Sequence, residues 1–516
     1  MQTLTSMFTS TAAAYPDRPF FVTADQSVTY AEFEQQTGEL AANGLTEGQP
    51  VGILLPSGLE LALTYWAAQR IGAVAIPLNP MFRAPEIAAA ASLTRLQILV
   101  TDSAGRAEVG RIDGAAPDTV LVWSGPDGGP DSVEALLKRS TTSYDPASRR
   151  PDDPVCMFFT SGTTGRPKAV VQTQLGQQSA LTAMFVHNRL RYGSDVVLNV
   201  MPLFNNFGAS GIMNTCVFAG ATMVLLSRWD VAVALDLITR HRVTMLLGTP
   251  TIYVDMCEQY DPSRHDLSQV RTAITAGAAA PPALIERFHA ITGVWLSQIY
   301  GATETSGIVI VEPHQGRPRP GSIGQVVGSA VVRILDDDGK LVPVGQPGEI
   351  VISGDIMSPG YFEDPEAQDA HTLQGWRSGD IGYVDEGGYY FLVDRKKDMV
   401  ICGGNNIYPA EVEAVIAGHP AVVACAVVGV PGERRGEIPV AVVVPRRGGH
   451  LGADSVTDYC RERIAAYKVP RAVYTSRALP LGPTGKVLKA ELRNQVIAGL
   501  VSEATTGDGS QNGETA

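Results

Sequence analysis

The densest run of chemistry-bearing residues is MFFTSGTTGRPKAV, residues 157–170. Within it Thr160, Ser161, Gly162, Thr163, Thr164 and Gly165 combine hydroxyls with positions that lack a Cβ. Backbone N–H groups and hydroxyls in such a run can converge on phosphate oxygens, and Lys168 adds a positive charge. The spacing is not that of the Walker A loop, because Lys168 stands three residues after Gly165 and is followed by Ala169. On composition alone, a flexible surface turn is the competing reading.

Other charged groups stand in equally glycine-rich settings. Glu304 follows YGAT, Asp380 closes RSGD, Arg395 and Lys397 lie in DRKKD, and Lys486 ends PTG, while Gly403 and Gly404 open GGNN. A carboxylate suits a hard cation or a pair of hydroxyl donors, and a placed ammonium offsets charge that develops during phosphoryl chemistry. Taken singly, most such residues are merely solvated.

The elements that must position these groups follow from the apolar pattern. Short apolar runs at residues 51–55 and 73–77 flank a helix-like segment at 60–71, the rhythm of a strand–helix–strand unit. The rhythm returns at residues 97–101, 196–201, 222–226 and 244–248, the last after a helical stretch at 232–241. This predicts an α/β fold with a largely parallel sheet. Beyond about residue 331, short strands separated by turn signals predict a small β-rich, barrel-like part. From residue 398 an α+β pattern follows, with helices near 409–417 and 455–464 and strands near 422–430 and 438–444. The expected division is residues 1–396, 397–495 and a disordered tail at 496–516, whose last fifteen residues lack aliphatic side chains other than alanine.

A chain of 516 residues exceeds what one hydrophobic core usually supports, so two or more domains are expected. With 45% hydrophobic and 18% charged residues, it has the composition of a packed globular protein. The net charge of −13 disfavours a nucleic-acid-binding surface. Six scattered cysteines without a CxxC pair suggest neither a disulfide framework nor a zinc site, and point to a reducing cytoplasm. No export signal or membrane span is expected.

TSGTTGRPK resembles the signature loop of the adenylate-forming (ANL) superfamily of acyl- and aryl-CoA synthetases, luciferases and nonribosomal-peptide adenylation domains. YGATETSG, WRSGDIGYVDEGGYYFLVDRKKD, GGNNIYPAEVE and PTGKVLK follow in the superfamily's order and spacing. The resemblance implies a large N-terminal adenylation domain and a small mobile C-terminal lid. It implies that Thr160 to Lys168 hold ATP phosphates, that Tyr300 lies against adenine, that Thr303 approaches the α-phosphate and that Glu304 holds Mg²⁺. Asp380 would accept the ribose hydroxyls, and Arg395 would donate nearby. Lys486 would offset charge during adenylation. Lys397 would be the hinge about which the lid rotates to present Gly403 and Gly404 along a thiol tunnel.

The acid pocket implied by the same resemblance comprises Asn205, Asn206, Phe207, Thr249, Ala276, Gly277, Ala278, Gly301 and Ile308. Small residues and one aromatic wall would admit a flat ring or slim chain, and no acidic residue stands ready to anchor an α-amino group. An aryl, cinnamyl-like or fatty acid is therefore expected, adenylated with MgATP and passed to CoA. Asn205 departs from the superfamily's common His and cannot titrate near neutral pH. That departure keeps other acceptors open: a carrier-protein thiol, an amine, or nitrite-dependent diazotisation of an aryl amine. A homodimer is left open as well.

Overall fold

The computed structural model describes residues 3–113, 116–123, 132–138, 148–161, 167–314, 316–402, 405–432, 436–446, 451–481 and 487–503. Contacts divide the chain into two compact units, residues 1–332 with 351–377, and residues 333–350 with 378–516. The division therefore lies N-terminal of residue 397, because the hairpin segments at 333–350 and 378–396 cluster with the C-terminal part of the chain.

The first unit holds two sheets. In one, the strands run in the order Ser322–Val326, Ile308–Val311, Leu296–Gly301, Thr272–Thr275, Met245–Gly248, Val196–Asn199, Thr222–Leu225, Pro19–Val22, Ser27–Thr29. The six from Leu296–Gly301 to Pro19–Val22 are parallel throughout. In the other, the order is Gly360–Tyr361, Pro167–Thr173, Pro154–Ser161, Val74–Pro77, Pro50–Leu54, Ile98–Asp102, Thr119–Trp123. Pro50–Leu54 pairs in parallel with both of its neighbours.

The parallel strands are apolar runs because both of their faces are covered. Val74–Pro77, Met245–Gly248 and Thr272–Thr275 are buried at every position. The helix Leu59–Ile71 has eleven buried residues, Tyr65 and Trp66 among them, as expected of a helix with apolar groups all round. Its C-terminus is closed by Gly72 at φ 79°, where any other residue would be strained. The expected strand–helix rhythm thus appears within a residue or two of its predicted bounds.

The second unit has its own core, built from residues such as Val400, Ile407, Val412, Val427, Ala441 and Val473. A long antiparallel pair, Val422–Gly432 with Gly436–Pro445, carries the helices Pro409–Ala417 and Lys489–Ile497, and the helix Ala453–Arg461 packs against Pro409–Ala417 and the strand Ala472–Thr475. The first residues of the tail expected at 496–516 have regular structure. Helix geometry continues to Ile497, and Ser502–Glu503 pairs with Tyr474 and Thr475. Residues 504–516 lie outside the described residues. No helix among the described residues is long and apolar enough to cross a membrane.

Candidate active site

Four stretches of sequence expected to meet ATP or the acid leave the same edge of the first unit's parallel sheet. The strand Val196–Asn199 runs out toward Asn205, Asn206 and Phe207, and Met245–Gly248 ends at Thr249. Thr272–Thr275 is followed by Ala276, Gly277 and Ala278, and Leu296–Gly301 by Thr303 and Glu304. The register sets Gly248 beside Thr275 and Leu247 beside Asn199, so three of these carboxyl ends are level to within a residue, while Leu296–Gly301 runs on three residues past Gln298, the partner of Thr275. The outer edge at the carboxyl ends of parallel strands is where open α/β sheets bind ligands.

Each exit has a local cause. Thr249 is the N-cap of the helix Pro250–Gln259 but makes no side-chain capping bond. Gly277 has φ 85°, a left-handed turn that a Cβ would strain. After Asn206 the chain forms a π-helix, Phe207–Met213, a rare geometry found mostly at functional sites. The Nδ2 of Asn205 is buried and has no hydrogen-bond partner among the described residues. Such an unsatisfied donor costs roughly 1–3 kcal/mol unless a ligand meets it.

The YGATE segment is tightly held. Thr303–Thr305 forms a single 3-10 turn, and the Thr305 hydroxyl accepts from the Ala302 N–H and lies within donating distance of two carbonyls, Gly307 at 2.6 Å and Ala302 at 3.0 Å. A Cβ on Gly301 would lie 2.1 Å from the Gly307 carbonyl oxygen, so this position accepts only glycine without a shift of the turn. Ile308, opposite Gly301 in the antiparallel register, belongs to the core. Tyr300 is half-buried at the strand's end.

The signature loop is the tip of a hairpin. Pro154–Ser161 and Pro167–Thr173 pair so that Thr160 faces Lys168 and Ser161 faces Pro167. Gly162, Thr163, Thr164 and Gly165 lie outside the described residues. Beside the hairpin, Gly360–Tyr361 adds an antiparallel strand that sets Tyr361 opposite Val170. The Tyr361 hydroxyl donates to Glu304 Oε1 at 2.9 Å, and Lys168 Nζ sits 5.2 Å from the Tyr361 ring centroid. Burial and the neighbouring Glu304 carboxylate push the Tyr361 phenol well up, so it stays a donor. Lys168, Tyr361 and Glu304 thus form one chain of contacts that connects loop and YGATE motif.

Two of the residues in these contacts were not among those expected from the sequence. Tyr361 lies far from any motif, and only its adjacency to the hairpin reveals it. Gln172 is fully buried in the hairpin strand, where its Nε2 donates at 2.9 Å to both Asn206 Oδ1 and the Thr303 carbonyl. A polar amide interrupting the apolar run AVVQT was the available signal.

In the second unit, Asp380 and Arg395 stand opposite each other across the antiparallel pair Gly375–Val384 and Tyr390–Arg395. Arg395 Nε lies 3.0 Å from Asp380 Oδ1, and Asp380 is nearly buried while Arg395 is half-exposed. Lys397 is exposed in the next turn. Its neighbour Lys396 is pinned to Asp337 at 2.7 Å and Glu349 at 3.3 Å. Lys468 is engaged by Glu411 at 2.6 Å. Gly403, Gly404, Arg447 and Lys486 lie outside the described residues.

Comparison with known proteins decides what this arrangement is. The family model described as AMP-binding enzyme matches residues 8–362, and that of the AMP-binding enzyme C-terminal domain matches 411–486. The chain belongs to the AMP-binding enzyme family. It is an adenylate-forming enzyme of the AMP-forming acid–thiol ligase class. Among relatives of this family, the long-chain-fatty-acid–CoA ligase FadD13 of Mycobacterium tuberculosis is 33% identical over 92% of this chain and 94% of its own. The feruloyl-CoA synthase of an Amycolatopsis species is 33% identical over 91% and 94%. The crystal structure of ATP-bound MatB from Rhodopseudomonas palustris superposes with a TM-score of 0.87 at 28% identity, over 96% of this chain and 99% of that one. An AMP-binding enzyme is thus the common frame for the hairpin loop, the YGATE turn and the Asp380–Arg395 pair.

Proposed function

We propose that this enzyme adenylates an aryl, cinnamyl-like or fatty acid with MgATP, releasing pyrophosphate, and transfers the acyl group to the CoA thiol. The observation that carries the reading is that four separated segments leave one sheet edge, with Asn205, Asn206 and Phe207, Thr249, Ala276 to Ala278, and Gly301 to Glu304 at the carboxyl ends of its parallel strands. The relatives named as fatty-acyl and feruloyl ligases, and the ATP-bound neighbour, support it.

In this reading the hairpin tip and Lys168 bind the phosphates, Tyr300 backs the adenine and Asp380 accepts the ribose hydroxyls. Arg395, now paired with Asp380, orients that carboxylate and donates beside it. Glu304 is the Mg²⁺ ligand. One carboxylate fits an ion that takes one or two carboxylates and fills its remaining positions with phosphate oxygens and water, and bound Mg²⁺ would neutralise triphosphate charge. Tyr361 orients the Glu304 carboxylate. The carboxylate oxygen of the acid attacks the α-phosphorus, the bond to pyrophosphate breaks, and Lys486 offsets the charge that builds up. The resulting mixed anhydride is then open to the thiol, whose sulfur takes the acyl carbon as AMP leaves. Asn205 offers its unpartnered N–H to an oxygen of the acid without titrating near neutral pH.

The test is a panel of acids assayed for pyrophosphate release with MgATP, followed by mass analysis with and without CoA. Pyrophosphate above background and a CoA thioester are expected for an aryl, cinnamyl-like or fatty acid. No pyrophosphate with any acid would sink the reading, while AMP without a CoA adduct would reassign the acceptor.

A further inference from the structure

Gln172 stands at the centre of a buried polar network in the first unit. Its Nε2 donates to Asn206 Oδ1 in the acid-facing turn and to the Thr303 carbonyl in the YGATE turn. Its Oε1 accepts from Cys156 Sγ at 3.3 Å, from Gln177 Nε2, and from Ser210 Oγ on the π-helix at 3.4 Å. Gln177 in turn accepts from Asn214, which also donates to the Tyr65 hydroxyl. Gln172, Gln177 and Tyr65 are completely buried, with Asn214 almost so.

The orientation of these amides is fixed by chemistry rather than chosen. A backbone carbonyl can only accept, so the atom of Gln172 that faces Thr303 must be the N–H₂ end. Its oxygen then faces the three donors. Burial pushes the Cys156 thiol up to about 12, which keeps its proton in place to donate. Because Gln172 presents N–H to Asn206, the atom of Asn206 turned toward it must be the oxygen. The end of Asn206 left for anything else is its N–H₂. One fixed carbonyl therefore sets, through Gln172, which polarity Asn206 can offer.

We propose that Gln172 is a positioning residue that locks the Asn206 carboxamide with its N–H₂ toward the acid and ties that turn to the ATP-facing Thr303. The proposal rests on the acid-pocket reading above. It makes the favoured acid one that carries a hydrogen-bond acceptor at the Asn206 position, and it couples acid binding to ATP binding through a single side chain.

The experiment is a double-mutant cycle on the full-length enzyme, using pyrophosphate release with whichever acid it turns over best. Gln172→Met, Asn206→Ala and the double variant are compared for KM of the acid, KM of ATP, and the ATP affinity with and without acid. Asn206→Ala should raise the acid KM about fivefold or more while leaving the ATP KM nearly unchanged. Gln172→Met should raise the acid KM similarly and also abolish the mutual strengthening of acid and ATP binding. The double variant should be little worse than Gln172→Met alone, since the second change removes an amide no longer oriented. Gln172→Glu is the safeguard against misfolding. It keeps the acceptor side toward Gln177 and Ser210, and even when protonated it can make only one of the two donations.

Effects that simply multiply in the double variant would overturn the proposal, as would intact coupling between acid and ATP in both Gln172 variants. An acid KM untouched by Asn206→Ala would overturn the acid-pocket reading itself, and the positioning role with it.

Discussion

At the scale of single residues, the candidate site depends on groups that hold other groups. Glu304 is the expected metal ligand, yet its orientation comes from the Tyr361 hydroxyl at 2.9 Å. A hydrogen bond to a charged group is worth roughly 1.5–3 kcal/mol, so Tyr361→Phe should lower kcat/KM for MgATP by about tenfold or more. It should also raise the Mg²⁺ concentration needed for half-maximal pyrophosphate release, with little change in melting temperature. An unchanged Mg²⁺ dependence would remove Tyr361 from the site. The signature loop, Glu304, Asp380 and Lys486 stand out in the sequence because each belongs to a motif. Tyr361 and Gln172 were not, since a tyrosine after PG and a glutamine in an apolar run acquire meaning only from their neighbours in space.

At the scale of elements, the strand–helix rhythm was readable because apolar runs of four or five residues between helices fit only buried parallel strands. The π-helix Phe207–Met213 was not readable, because its extra residue per turn follows from packing, with Gly208 pressed against the Pro202 carbonyl. One element junction makes a pH-dependent prediction. His314 Nδ1 pairs with Ser297 at 2.8 Å and its Nε2 with Asn188 at 2.9 Å, so the ring joins the strand Leu296–Gly301 to the end of the helix Gln174–His187. Burial, with Arg189 and Arg271 nearby, lowers its pKa to about 4 from the ordinary 6.5. An unfolded chain therefore binds this proton more readily, so the stability contributed is present above about pH 6.5 and is lost as pH falls toward 4, by an amount on the order of 3 kcal/mol. Thermal melts of the wild type should fall over that window, and His314→Gln should flatten this part of the profile. A parallel decline in both proteins would assign the acid sensitivity elsewhere.

At the scale of the whole molecule, the proposed two-step reaction divides labour between the units. Lys486→Ala should slow acid-dependent pyrophosphate release by about a hundredfold or more, the range seen when one transition-state donor is removed. Thioester formation from supplied acyl-AMP should persist, and rapid-quench assays of the two half-reactions would show it. Equal loss in both steps would contradict the alternation of the lid. The sequence by itself determined the α/β class and the motif order, because apolar periodicity and closely spaced motif residues are local properties, and it pointed to adenylating chemistry through the family resemblance that those motifs carry. It placed the boundary at residue 397, whereas contacts group residues 333–350 and 378–396 with the later chain, since hairpin pairing is non-local. Only the tertiary structure decided which partners orient the motif residues. A buried amide such as Gln172 takes its role from a carbonyl 131 positions away that can accept and never donate.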